Sequence, residues 1–263
     1  MTLVTDCETL HLRLRDLKVT AEQDSLFSDA FSVDVLKGDC RYTIKEGDET
    51  FISCCDPEWV TLYVNELVNF RLAQRMKDYV KIHAACGSYN GKRFLLVGEK
   101  GAGKTTCITR CLFENIAACG DEEVLVKGCE VIPLPRKFHL KEGTVPLVPQ
   151  LGSIWNRLTS YPTSYGVRLC FFDPLDACFK WETKWGEVDT IFYLEPNHGE
   201  LTQVETCPRW LMTQRIISQS LDFATDPESQ IADLCEIVAG SDCFLMAIGE
   251  LDGAVRTIKG ALS

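Results

Sequence analysis

The sequence predicts an α/β protein. Its core is a mixed sheet with flanking helices, built around a phosphate-cradling loop and preceded by a small β-rich N-terminal part. Three observations predict it. The stretch Gly98-Glu99-Lys100-Gly101-Ala102-Gly103-Lys104-Thr105 reads G-x-x-x-x-G-K-T, the P-loop pattern. An apolar run of strand type, Arg93-Phe94-Leu95-Leu96-Val97, precedes it, and a helix-like stretch from Thr106 to Asn115 follows. The first 56 residues alternate short apolar segments with polar turns, as small antiparallel sheets do.

Composition narrows the class. The chain has 263 residues, 46% hydrophobic and 25% charged, enough to bury a core. Lys and Arg number 27 against 38 Asp and Glu, a formal charge of −11. That balance disfavours a nucleic-acid surface and requires any anion site to gather its cations locally. The 14 cysteines include no C-x-x-C pair, and His11, His83, His139 and His198 are scattered, so zinc-site spacing is absent. Several cysteines sit inside apolar runs and read as small hydrophobes in a reducing cytosol. No signal peptide and no membrane-spanning run is evident, which points to a cytoplasmic protein without a membrane partner.

Taken in order, residues 1–56 form the β-rich part. Phe31 to Leu36 alternates with period two, and Arg41 to Ile44 and Thr50 to Ser53 follow after the turns at Lys37-Gly38-Asp39 and Lys45-Glu46-Gly47-Asp48. Asp56-Pro57-Glu58 then starts a linking helix over 57–78, with Val60, Tyr63, Val64, Leu67 and Phe70 as its apolar stripe. The main domain spans 79–263. Val80 to Cys86 reads as one strand, and Asn90-Gly91 is a hairpin turn that returns the chain into 93–97. His83 lies on that strand, either as a structural core residue or within reach of an active site.

Within the loop, glycines let backbone N–H groups face phosphate oxygens, and the helix N-terminus adds partial positive charge. Lys104 can reach the β- and γ-phosphates, the Thr105 hydroxyl can hold Mg²⁺, and Thr106 continues the helix start. Asp121-Glu122-Glu123 head the apolar run Val124-Leu125-Val126, about twenty residues further on. Acids before a strand are often only solvated, but phosphoryl-transfer sites need a carboxylate for Mg²⁺ or for the nucleophile. Cys129 to Lys141 reads as a proline-bracketed loop holding two or three cations, Arg136 among them, equally an exposed basic loop or one that stabilises charge on a phosphoryl group. Thr144 to Tyr165 is expected to be irregular, a lid or substrate loop. Arg168 to Pro174, Asp189 to Leu194 and Asp242 to Ala247 read as strands, 208–220 and 227–238 as helices, and the residues after Ala247 as a short polar tail.

The run Ile82-His83-Ala84-Ala85, then Phe94-Leu95-Leu96-Val97-Gly98 with its loop, then Gly120-Asp121-Glu122-Glu123-Val124, resembles the catalytic domain of HPr kinase/phosphorylase and its kinase-like relatives. Pro135-Arg136-Lys137-Phe138-His139-Leu140-Lys141 resembles a proline/arginine segment of those relatives. The resemblance covers roughly residues 80–250 and is strongest over 82–126. It implies a fold shared with phosphoenolpyruvate carboxykinases, and ATP with Mg²⁺ as the cofactors. The acceptor it implies is a hydroxyl, a serine of a peptide or protein ahead of a small alcohol. His83 matches the family's active-site histidine and Asp121 its catalytic aspartate. Glu122 stands where the bacterial regulatory enzyme has a second aspartate, Lys100 where Ser is usual, and Thr105 in place of Ser. The C-terminal signature of the reverse, phosphate-driven activity is not recognisable, and the chain looks more like divergent kinases of modification pathways. On this reading residues 98–106 bind the nucleotide, Thr105 and Glu122 hold the metal, and Asp121, His83, Lys104 and Arg136 serve catalysis. A homo-oligomer is compatible with the sequence.

Overall fold

The computed structural model describes residues 2–5, 32–38, 41–46, 48–57, 59–64, 67, 79–134, 137–162, 166–179, 182, 184–220 and 226–263. The chain divides into two compact units, one of residues 1–76 and 158–171, the other of 77–157 and 172–263.

In the first unit, β1 (Thr2–Thr5), β2 (Ser32–Lys37), β3 (Tyr42–Glu46) and β4 (Glu49–Cys54) form a sheet in sequence order. β1 runs parallel to β2, and the other neighbours are antiparallel. Val35 and Ile44 are register partners, as are Ile44 and Ile52, so one face is apolar. The helix after Asp56 turns Val60, Val64 and Leu67, at i, i+4 and i+7, into one buried cluster with Val35 and Ile44. The part of the linking helix beyond residue 67 lies outside the described residues. The unit also holds a hairpin that pairs 159–162 with 168–171, in which Tyr161 packs on Phe171 at 4.7 Å.

The second unit carries two sheets. β6 (Ala84–Tyr89), β7 (Lys92–Val97), β8 (Ala117–Gly120), β13 (Thr190–Pro196), β14 (Gln203–Thr206) and β15 (Asp242–Ile248) form a six-stranded sheet. Its strand order is β14-β15-β13-β7-β6-β8, with β7, β13 and β15 parallel at its centre. β5 (Val80–Ile82), β9 (Val124–Lys127), β10 (Glu130–Pro133) and β12 (Gly186–Glu187) form a four-stranded antiparallel sheet. β11 (Phe138–Lys141) follows β10. Asn90 and Gly91, with φ of 54° and 79°, make the tight turn between β6 and β7, the primed geometry that asparagine and glycine favour.

Four helices cover these sheets: α1 (Lys104–Leu112), α2 (Arg209–Ser218), α3 (Pro227–Gly240) and α4 (Leu251–Ala261). α3 starts as a capped helix should, with Asp226 accepting from Ser229 N–H at 3.2 Å and Pro227 in its first turn. Met212, Ile216, Leu234, Ile237 and Val238 of α2 and α3 share one core with Val80, Ile82, Val124, Leu95, Val97, Ile191 and Tyr193. Arg110 of α1 bonds Asp252 of α4 at 2.9 Å, and Lys259 bonds Glu114 at 3.2 Å.

Several expectations change. Val80 to Cys86 is not one strand: it breaks at His83, and its halves join different sheets. The 129–141 stretch holds the strands β10 and β11 instead, with Val131 and Ile132 buried together and Phe138 and Leu140 buried in alternation. The 144–165 stretch holds a short 3-10 turn at Pro149–Leu151, the helix Gly152–Trp155 and the strand Thr159–Pro162. The polar tail is the helix α4, because Ala254, Val255, Ile258 and Leu262 form a buried stripe that overrides two low-propensity glycines.

Seven of the described cysteines are buried as apolar fillers, while Cys55, Cys129, Cys178 and Cys235 are exposed. All twelve described cysteines are free, and Cys86, Cys107, Cys111 and Cys119 are fully buried. Burial pushes the Cys243 thiol up to about 11, so it stays protonated and inert at neutral pH. Among the described residues no helix is long and apolar enough to cross a membrane.

Two residues tie this unit together. The buried Arg93 guanidinium donates to the carbonyls of Val131 at 3.0 Å, Gly186 at 2.9 Å and Lys184 at 2.8 Å, linking β7 to the four-stranded sheet. Gly98, just past β7, approaches β13 so closely that a Cβ would lie 2.8 Å from Leu194 O and 3.1 Å from Ala102 Cβ. Arg93→Met leaves three carbonyls unsatisfied and is expected to cost about 3–5 kcal/mol in urea denaturation. Arg93→Lys recovers only part of that, because an ammonium cannot reproduce the guanidinium fork. Gly98→Ala is expected to cost about 1–3 kcal/mol by the same measurement, since backbone must shift to relieve the overlap.

Candidate functional site

Three chain segments end at one edge of the six-stranded sheet, and strand register explains why. Ala84 of β6 pairs with Val97 of β7. The residue before Ala84 is His83 and the residue after Val97 is Gly98, so the antiparallel ladder sets these two across from each other. On the other side of β6, Cys86 pairs with Gly120 of β8, and Asp121 follows immediately. The chain then crosses into the four-stranded sheet, where Ile82 of β5 pairs with Val124 of β9. Two neighbouring strands thus change sheets together. One crosses through His83, the other through Asp121-Glu122-Glu123.

The loop after β7 is shaped by its glycines. Gly101 and Gly103 have φ of 93° and 95°, a region that costs other residues strain. Ala102 N–H closes a turn onto Glu99 O at 3.0 Å, and Gly103 O accepts the first bond of α1 from Cys107 N–H at 2.8 Å. The free N–H groups of the first turn of α1 lie at the loop, with the positive end of the helix dipole. Lys104 opens that helix, is buried, and donates to Gly98 O at 2.6 Å and Glu99 O at 3.1 Å. Of the remaining loop residues, Glu99, Lys100 and Gly101 are exposed, Ala102 is buried, and Thr105 and Thr106 are half-buried.

The acids complete the arrangement. Asp121 is only 1% exposed, held where β8 leaves the sheet. Burial lowers the Lys104 ammonium below its ordinary pKa, and the carboxylates of Glu122 and then Asp121 pull it back up. The lysine and both acids therefore share one electrostatic environment. Glu122 Oε1 lies 3.9 Å from His83 Nε2, both side chains partly exposed at 34% and 24%. The His83 N–H donates to Gln219 O at 2.9 Å, which fixes the crossing against the end of α2. The acid turn is braced by Leu134 N–H on Glu123 O at 2.9 Å. The site thus combines a buried cation, helix-terminal amides and two carboxylates of different exposure. Such a set can bind a polyanion and also accept a proton beside it.

Of the residues singled out from sequence, His83, Gly98 to Thr106, Asp121 and Glu122 lie at this edge. Arg136 lies outside the described residues. Among the described residues no cluster of three or more His, Cys, Asp or Glu side chains could cage a metal ion.

Two side chains at the same edge escaped the sequence reading. β13 runs parallel to β7 with Tyr193 beside Val97, so Glu195 emerges next to the start of the loop. Arg215 of α2 bonds Glu195 at 3.0 Å and lies over the Tyr193 ring at 4.5 Å. The run Ile191-Phe192-Tyr193-Leu194 ending in Glu195 was the available signal: four apolar residues closing on an acid. Its meaning depends on the strand lying next to β7, which sequence does not show.

No protein-family description matches the chain, and no curated protein is similar to it. Among solved structures, the chain is similar to the Hpr(Ser) kinase/phosphatase from Coxiella burnetii at 9% sequence identity. The match covers 69% of this chain and 93% of that one, with a TM-score of 0.32. The likeness is a distant one in fold.

Proposed function

We propose that the chain is an ATP- and Mg²⁺-dependent kinase that moves the γ-phosphoryl group onto a hydroxyl. The observation that carries this is the shared environment of Lys104, Asp121 and Glu122 at the mouth of the glycine loop. An anion-binding site needs the lysine and the amides, but it gains nothing from a buried carboxylate beside them. A phosphoryl-transfer site needs that carboxylate.

The oxygen donors suit magnesium. Thr105 begins the helix beside Lys104, and Glu122 is the more exposed of the two acids, a hard-oxygen set that leaves room for phosphates and water. These two residues would hold the ion, which would supply charge neutralisation on the β- and γ-oxygens. Lys104 and the loop amides bind the β- and γ-phosphates. Asp121 takes the proton from the acceptor hydroxyl as its oxygen bonds to the γ-phosphorus. The bond from that phosphorus to the β–γ bridging oxygen breaks, and ADP leaves with the electron pair. His83, beside Glu122, orients that acid and tunes the charge of the cluster. Arg136 is assigned to the charge that develops on the phosphoryl oxygens. A serine of a peptide or protein is the acceptor favoured by the sequence resemblance over 82–126, and a small alcohol is the second choice. A reducing cytosol suits a chain with 14 cysteines.

Lys104→Ala is expected to lower ATP affinity and turnover together. Asp121→Asn is expected to cut turnover by about 10²–10³-fold, the scale of losing one group that acts in the transition state, while ATP affinity by calorimetric titration changes little. Turnover is read by the mass of phosphoryl added to peptide and small-alcohol acceptors from γ-labelled ATP. Near-full turnover in Asp121→Asn would remove Asp121 as the base. Slow ATP hydrolysis that no acceptor stimulates would instead make the chain a nucleotide-dependent regulatory module.

A further inference from the structure

The Glu195–Arg215 pair lies outside the machinery assigned above, yet it stands at the same edge. Leu194 O is the atom that would collide with a Cβ on Gly98, so Glu195 is one residue past the closest contact between β13 and the loop. Arg215 bonds Glu195 at 3.0 Å. One turn further along α2's end, Gln219 O accepts the His83 N–H at 2.9 Å. Arg215 thus lies one helical turn before the residue that meets the His83 crossing, and its partner Glu195 lies one residue past Leu194, which meets the loop.

The pair is built to be exchanged. Its side chains are 34% and 46% exposed, and ion pairs this exposed contribute little to stability. The guanidinium is also held by Tyr193, over whose ring it rests at 4.5 Å, and that ring belongs to the buried core. A phosphate offers more charge than one carboxylate and matches the guanidinium fork. Core packing thus aims a cation at the loop edge, and a weak partner occupies it.

We propose that Arg215 contacts the terminal phosphate of the bound nucleoside triphosphate, and that Glu195 holds the guanidinium until that phosphate arrives. This rests on the nucleotide reading of the loop. It makes the pair the device that tells a triphosphate from a diphosphate, since only the former reaches past the loop to the edge where Arg215 stands. Nucleotide binding breaks the Glu195–Arg215 bond and frees the carboxylate at the rim.

The test compares affinities of the magnesium complexes of ADP and of the β,γ-imido analogue of ATP. These are measured by calorimetry for the wild type, Arg215→Gln, Arg215→Lys and Glu195→Gln. Arg215→Gln is expected to lose about 10–100-fold in affinity for the triphosphate analogue, the worth of a charged hydrogen bond, and to leave ADP within about threefold. Arg215→Lys retains part of the preference. Glu195→Gln shifts the opposite way, binding the analogue several-fold more tightly, and so tests the pair without removing the cation. Equal losses for both nucleotides, or an unchanged ratio, in Arg215→Gln overturn the proposal while leaving nucleotide binding intact. Weaker analogue binding in Glu195→Gln overturns it as well. A wild type that binds neither nucleotide refutes the nucleotide reading itself, and this inference with it.

Discussion

The site depends on two neighbouring strands changing sheets at the same level. A strand that leaves a sheet exposes backbone donors and acceptors unless a partner leaves with it. Here β6 pairs with β8 in the larger sheet, and β5 pairs with β9 in the smaller one. The chain passes from β5 to β6 through one residue and from β8 to β9 through three. The β5–β9 ladder runs to Ile82 and Val124, and the β6–β8 ladder, irregular at Cys86, ends at Gly120 beside the acids. A histidine on the short crossing and acids on the long one are thereby forced side by side, across from the first glycine of the loop.

The stabilising interactions and the chemically useful ones are kept apart. Arg93 spends its donors on carbonyls of the second sheet, and Arg110 and Lys259 tie α1 to α4 through Glu114 and Asp252. The large apolar cluster and the inert thiols lie beneath the edge. Lys104 is different: it is buried at the edge, satisfied by loop carbonyls, and held below its ordinary pKa by desolvation. A cation kept dry beside acids is an expensive arrangement in a protein whose overall charge is −11, and such arrangements concentrate at functional sites.

The Glu195–Arg215 pair shows the same edge from the other side. The parallel strands β7, β13 and β15 all end there, and ligands of open α/β sheets bind outside the carboxyl ends of such strands. Arg215 belongs to a helix whose buried residues, Met212 and Ile216, anchor it to the core under the loop. The helix position is set by packing and the cation's position follows from it.

Sequence alone determined the features whose geometry is local. The loop from Gly98 to Thr105 is legible because its left-handed glycines and the helix it opens are decided within a few residues. The same holds for the Asn90-Gly91 turn, the helix start at Asp56-Pro57 and the alternating strands, whose side chains need only a period of two. Tertiary structure decided the rest. His83 reads as mid-strand until β5 finds β9, and the 251–261 helix reads as a tail until its apolar stripe finds a face to bury. Glu195 is an ordinary acid after a strand until that strand lies beside β7. Each of these depends on pairing between segments tens of residues apart, and register and packing partners are properties of the assembled sheets rather than of any short stretch of chain.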